Sequence, residues 1–155
     1  MNNKGQITVE YMLMVAVIII IMISATNVIQ EETEKNTILN AAQIGAQIGV
    51  DKNGYAMYYN DTFNNYQENY QRLLYPTDIE VINITLTKSD KNIYLQVNLH
   101  TNNDLTTQER YIIGYRVNYY VRKTIAETFN QNITYPYENL ETERFKIRNN
   151  TVKWV

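Results

Sequence analysis

The sequence predicts an α+β protein: a long N-terminal helix, membrane-spanning over its first half, packed against an antiparallel β-sheet in a C-terminal head. Three observations carry this. Tyr11 to Ile29 contains no charged residue, and Met12 to Ile23 is a continuous run of Met, Leu, Val, Ala and Ile. Glu31 to Val50 keeps apolar residues at helical spacings and contains no proline. Beyond Val81 the apolar period changes from three or four to two, the signature of half-buried strands.

At about 1.5 Å rise per helical residue, positions 11–29 span roughly 28 Å, close to the hydrocarbon thickness of a bilayer. The left edge of this run is unusual. A secretory signal carries its cut after the apolar core, so the core is discarded. Here Lys4 and Gly5 are followed at once by Gln6, and the run then continues. A cut after Gly5 leaves the membrane helix on the mature chain. The expected organisation is therefore a signal peptide over 1–5, a helix over 6–50 and a globular head over 51–155. Glu10 stands at the apolar end of the helix, where a carboxylate is costly and calls for a partner. Lys4 and the amino terminus precede the run, whereas Glu31, Glu32 and Glu34 follow it with Lys35 as the nearby cation. That bias places the N-terminus in the cytoplasm and the head outside.

Lys4-Gly5 followed by Gln6-Ile7-Thr8-Val9-Glu10-Tyr11 resembles the class III signal peptide of archaeal type IV pilins. The usual pattern there is a Gln, a Ser two places on, then Glu and an aromatic residue; Thr8 keeps the hydroxyl. The resemblance covers about the first thirty residues. It implies cleavage between Gly5 and Gln6 by a prepilin peptidase, and residence in the membrane before assembly. Pilus machinery would then build a homo-oligomeric helical filament at the cell surface, serving attachment. It also suggests that Glu10 meets the new amino terminus at Gln6 of a neighbour. The rival readings are a monomeric membrane-anchored surface binding protein and a minor tip pilin acting as an adhesin.

Along Glu31–Val50, Ile38, Leu39, Ala42, Ala46 and Val50 form a helical stripe. Ala41, Gly45 and Gly49 fall four apart. A helical glycine costs about 1 kcal/mol relative to alanine, so this strip predicts close approach of another backbone: either a neighbouring helix in an assembly, with Gly45 and Gly49 as contact residues, or the sheet of the same head. Val50 to Gly54 is expected to end the helix, with Asn53-Gly54 as a turn.

Tyr59, Phe63, Tyr66, Tyr70 and Leu73 or Leu74 predict a short aromatic-faced helix before Pro76. Next comes a hairpin: Ile82, Ile84 and Leu86, a turn over Lys88–Asn92, then Ile93, Leu95, Val97 and Leu99. After the loop Thr101–Glu109, a third strand is expected, with Tyr111, Ile113, Tyr115, Val117, Tyr119 and Val121 on its apolar face. The three would form an antiparallel meander covered by the long helix. Phe145–Arg148 and Thr151–Val155 read as a terminal hairpin with Trp154 closing the core. Thr124 to Glu143 carries no clear signal.

Composition excludes several functions. The formal charge is −2, and loss of Lys4 takes 14 basic residues to 13 against 16 acidic ones, or −3; neither suggests nucleic acid. With no cysteine, disulfides cannot stabilise the head. The 14 tyrosines of the chain are the candidates for dense packing and subunit contacts. One histidine, no cysteine and two serines, one of them in the apolar run, nearly exclude a nucleophile–base pair. No enzyme activity, cofactor or metal is expected. Four Asn-x-Thr sequons, at Asn60, Asn83, Asn132 and Asn149, are candidate N-glycosylation sites on an external glycoprotein.

Overall fold

The computed structural model describes residues 3–54, 68–69, 73, 77–131 and 139–155, with side chains from Thr8 onward. The elements are α1 (Asn3–Gly54), β1 (Glu80–Ser89), β2 (Asn92–His100), α2 (Thr107–Thr128), β3 (Lys146–Asn149) and β4 (Lys153–Trp154). The class is α+β: a long, apolar N-terminal helix, then a sheet and a second helix. The chain divides into two compact units, Met1–Thr37 and Ile38–Val155. The aromatic-faced helix expected over Tyr59–Leu74 lies outside the described residues, except for Glu68, Asn69 and the buried Leu73.

In the second unit, α1 buries the stripe Ile38, Ala42, Ala46 and Val50 and keeps Asn40, Gln43 and Gln47 in solvent. It runs to Gly54, so Val50–Asn53, expected as a break, forms its last turn. Asn53 explains the difference. Its Nδ2 donates to Gly49 O at 2.7 Å, and its Oδ1 accepts from Arg116 Nη1 at 2.7 Å. Its own carbonyl accepts from Thr77 Oγ1 at 3.2 Å. A residue that reads locally as a turn former is held helical by one bond within the helix and two that only the folded head supplies.

The β1–β2 hairpin forms as expected, antiparallel from Glu80↔His100 to Ser89↔Asn92, with an irregularity at Val81/Asn83. Asp90 takes the positive φ of 54° that the two-residue turn requires. Every second residue of β2, from Ile93 to Leu99, is wholly buried.

The third strand is corrected. Tyr111–Val121 belongs to α2, a helix of 22 residues. Its start is fixed by a capping box: Thr106 Oγ1 accepts from the Glu109 amide, and Glu109 Oε2 accepts from the Thr106 amide at 2.8 Å. Its end is a Schellman-type closure, with Asn130 at φ 53° and the Gln131 amide donating to Ala126 O at 2.8 Å. The buried residues Ile113, Val117, Val121 and Ile125 are four apart. That spacing is shared by strand and helix faces alike, so it did not discriminate. Tyr111 and Tyr115 do discriminate: a strand would bury them with Ile113, whereas both are exposed.

The antiparallel meander and the terminal hairpin are corrected too. β3 and β4 do not pair with each other; both run parallel to β2, β3 beside Asn92–Leu95 and β4 beside Asn98–Leu99. A parallel pair needs a crossover, and α2, expected as the third strand, supplies it. Asn150–Val152 continues in the same direction, the Asn150 amide donating to Leu95 O at 2.9 Å. The sheet face carrying Ile84, Leu95, Leu99 and Ile147 shares one core cluster with α1 and α2.

Candidate functional site

The candidate site is the N-terminal half of α1. Lys4, Gly5 and Gln6 are in its first turns, their side chains outside the described residues. Thr8, Glu10 and Tyr11 are helical and exposed, Tyr11 at 68 %. The apolar run is exposed all round: Leu13 at 65 %, Ile20 at 63 % and Ile23 at 59 %. The helix is long and apolar enough to cross a membrane, and none of its most apolar stretch is buried in the protein. A continuous exposed apolar surface of this length requires a lipid or protein cover.

The hydroxyl groups in and just beyond the run are bonded locally. Ser24 Oγ donates to Ile20 O at 2.9 Å and Thr26 Oγ1 to Met22 O at 2.8 Å. Thr33 and Thr37 donate in the same way to Ile29 O and Thr33 O. A hydroxyl that bonds the carbonyl one turn back needs no water, which suits a helix surrounded by hydrocarbon. Charge begins at Glu31, where Lys35 Nζ bridges Glu31 Oε1 at 2.9 Å and Glu32 Oε1 at 2.8 Å. The apolar segment is thus closed by a tight ion cluster.

Gly45 and Gly49 meet a different neighbour from either alternative expected of them. A Cβ on Gly45 would lie 2.6 Å from Tyr120 O and 2.7 Å from Val121 Cα, and one on Gly49 would lie 2.8 Å from Val117 Cα. The partner is α2 of the same chain, running antiparallel to α1, since 45 meets 121 and 49 meets 117. Close approach was legible in the strip; an assembly contact at these two positions gives way to an intrachain one. Missing α2 as a helix hid the partner.

Two sequons fall among the described residues, and their settings differ. Asn83 and Thr85 are exposed on β1, with Asn83 Oδ1 accepting from Asn98. Asn149 is half-buried, its Nδ2 donating to Asn118 Oδ1 at 3.0 Å and its Oδ1 accepting from Arg122 Nη1 at 3.3 Å. Asn60 and Asn132 lie outside the described residues. Among the described residues no group of acidic, histidine or cysteine side chains could hold a metal ion. His100 Nδ1 lies 2.6 Å from Val155 O. That bond first, and then the Asn102 side chain and the charges of Glu80 and Asp78, raise its pKa.

Residues 3–29 match the family model of the class III signal peptide. Together with the apolar helix, the match is consistent with a type IV pilin-like protein, and it points to processing by a prepilin peptidase and handling by pilus assembly machinery. No curated protein and no solved structure matches the chain.

Proposed function

We infer that the chain is a structural subunit of an extracellular type IV-like pilus, inserted with its N-terminus in the cytoplasm, cleaved after Gly5 and then drawn into a helical filament. The observation that carries this reading is the class III signal peptide match over residues 3–29, which takes in the start of a membrane-length helix with no cover of its own. Lipid is as apolar as leucine, so burial alone does not drive the helix from bilayer to filament; close packing and polar pairing do. Glu10 is the polar group available for that pairing, with the mature amino terminus at Gln6 of a neighbour as its partner. Such a pair offsets a buried charge and fixes axial register. The role is structural rather than enzymatic, and the head serves surface attachment. Sugars carried by the described head attach at Asn83 rather than at Asn149, whose amide already serves Asn118.

Mass spectrometry of the protein recovered from cells tests the reading. A mature chain beginning at Gln6, found in sheared filaments, is the expected result. An intact Met1 on a protein retained singly in the membrane would favour the tethered binding protein instead. Glycopeptides from the same digest report Asn83 and Asn149 separately.

A further inference from the structure

A groove of about 710 Å³ runs along α2 beside residues 139–154, within the ~300–1,000 Å³ of small-ligand sites. Its lining has a composition that core packing does not require. Tyr111 and Tyr115 stand one turn apart on α2, 59 % and 55 % exposed. Trp154, from β4, is half-buried, with the Arg110 guanidinium 5.6 Å from its ring centre. The aromatic faces are joined by an excess of positive charge: Arg110, Arg122, Lys146 and Arg148 line the groove against the carboxylate of Glu141. That carboxylate is paired with Lys146 at 3.1 Å. Among the described residues Arg148 is exposed and has no ion-pair partner. A cationic groove on a chain of net charge −2 is a local feature, not a reflection of composition.

Three carbonyls of the wall formed by the C-terminal residues are already engaged. Ile147 O accepts from Arg122 Nη1 at 3.1 Å, Asn150 O from Asn118 Nδ2 at 2.9 Å, and Thr151 O from Gln96 Nε2 at 2.7 Å. A peptide docking by backbone pairing would need such groups unengaged. Recognition in this groove therefore falls to side chains: flat aromatic faces, amides and guanidinium groups. That set matches a ligand with apolar ring faces, many hydroxyls and a carboxylate.

We propose that the groove between α2 and the C-terminal strands binds an acidic oligosaccharide, its pyranose rings against Tyr111, Tyr115 and Trp154 and its carboxylate on Arg148. The site lies wholly within the head and does not depend on how the N-terminal helix is processed or assembled. Trp154 is the single tryptophan of the chain, so its fluorescence reads occupancy directly. Titration of the full-length chain in detergent micelles with tetragalacturonate should give a saturable change in emission. Maltotetraose, equally long but uncharged, should bind at least about tenfold more weakly; Tyr115→Ala and Arg148→Gln should each weaken tetragalacturonate about tenfold. Both side chains are exposed, and an unchanged circular dichroism spectrum verifies that the variants remain folded. Three results would overturn the proposal: no saturable response to tetragalacturonate, an equal response to maltotetraose, or a poly-glutamate response that equals the sugar's and is indifferent to Tyr115→Ala.

Discussion

α1 is one helix with two kinds of surface. Over positions 8–30 every side chain is exposed, and from Tyr11 to Ile23 every one is apolar or aromatic, so no side is distinguished. From Ile38 to Asn53 the helix is sided: Ile38, Ala41, Ala42, Ala46 and Val50 are buried, whereas Gln43 and Gln47 face solvent. The first stretch is apolar because its surroundings must be; the second is small because a particular helix, α2, crosses it. An exposed, uniform surface tolerates exchange of one apolar residue for another. A surface set against a neighbour's backbone tolerates almost no added volume.

Substitutions should separate the two halves. The largest effect is expected of Glu10→Ala, which should leave the protein inserted and the head unchanged in stability while filaments are lost; electron microscopy of sheared material reads this, and abundant normal filaments would remove the role given to Glu10. Gly45→Ala should act on the other half alone. Its Cβ would meet the Tyr120 and Val121 backbone, and overpacking of this kind costs about 1–3 kcal/mol. Better helix propensity returns only about 1 kcal/mol. A lowered urea midpoint of the head in detergent is the expected outcome, whereas Ile20→Leu should leave that midpoint alone. If Gly45→Ala proves neutral, the α1–α2 contact is looser than described.

Asn53→Ala should cost about 2 kcal/mol, because it removes the acceptor of Arg116 and the bond that holds the last turn of α1. The same urea titration measures it. The smallest effect belongs to pH. His100 has a raised pKa in the folded head, so its bond to Val155 is fully present below the unfolded value of about 6.5 and weakens as pH rises through the folded value. The carbonyl chemical shift of Val155 should titrate in that window, and His100→Gln should flatten it. A titration that survives His100→Gln would assign the effect elsewhere.

The membrane-length helix, the signal motif at Lys4–Tyr11 and the β1–β2 hairpin were legible in the chain itself, because each rests on local composition or on a two-residue turn. The need for a close neighbour at Gly45 and Gly49 was legible as well. The identity of that neighbour was not, because Tyr111–Val121 alternates well enough for a strand and its four-residue spacing fits both periods. The overlooked local signal was Thr106-x-x-Glu109, a capping box directly before the apolar residues. The groove beside Tyr111, Tyr115 and Trp154 was hidden for a related reason: its residues lie some forty positions apart in the chain.

The sequence by itself therefore determined what is set by neighbours in the chain: an apolar helix of bilayer length, the point where charge begins, and a hairpin. Tertiary structure alone decided that α2 is the partner of the small-residue strip, that β3 and β4 lie parallel to β2, and that Asn53 stays helical. Each of these turns on contacts between residues distant in sequence, where burial against a specific surface outweighs local preferences of about a kilocalorie or less.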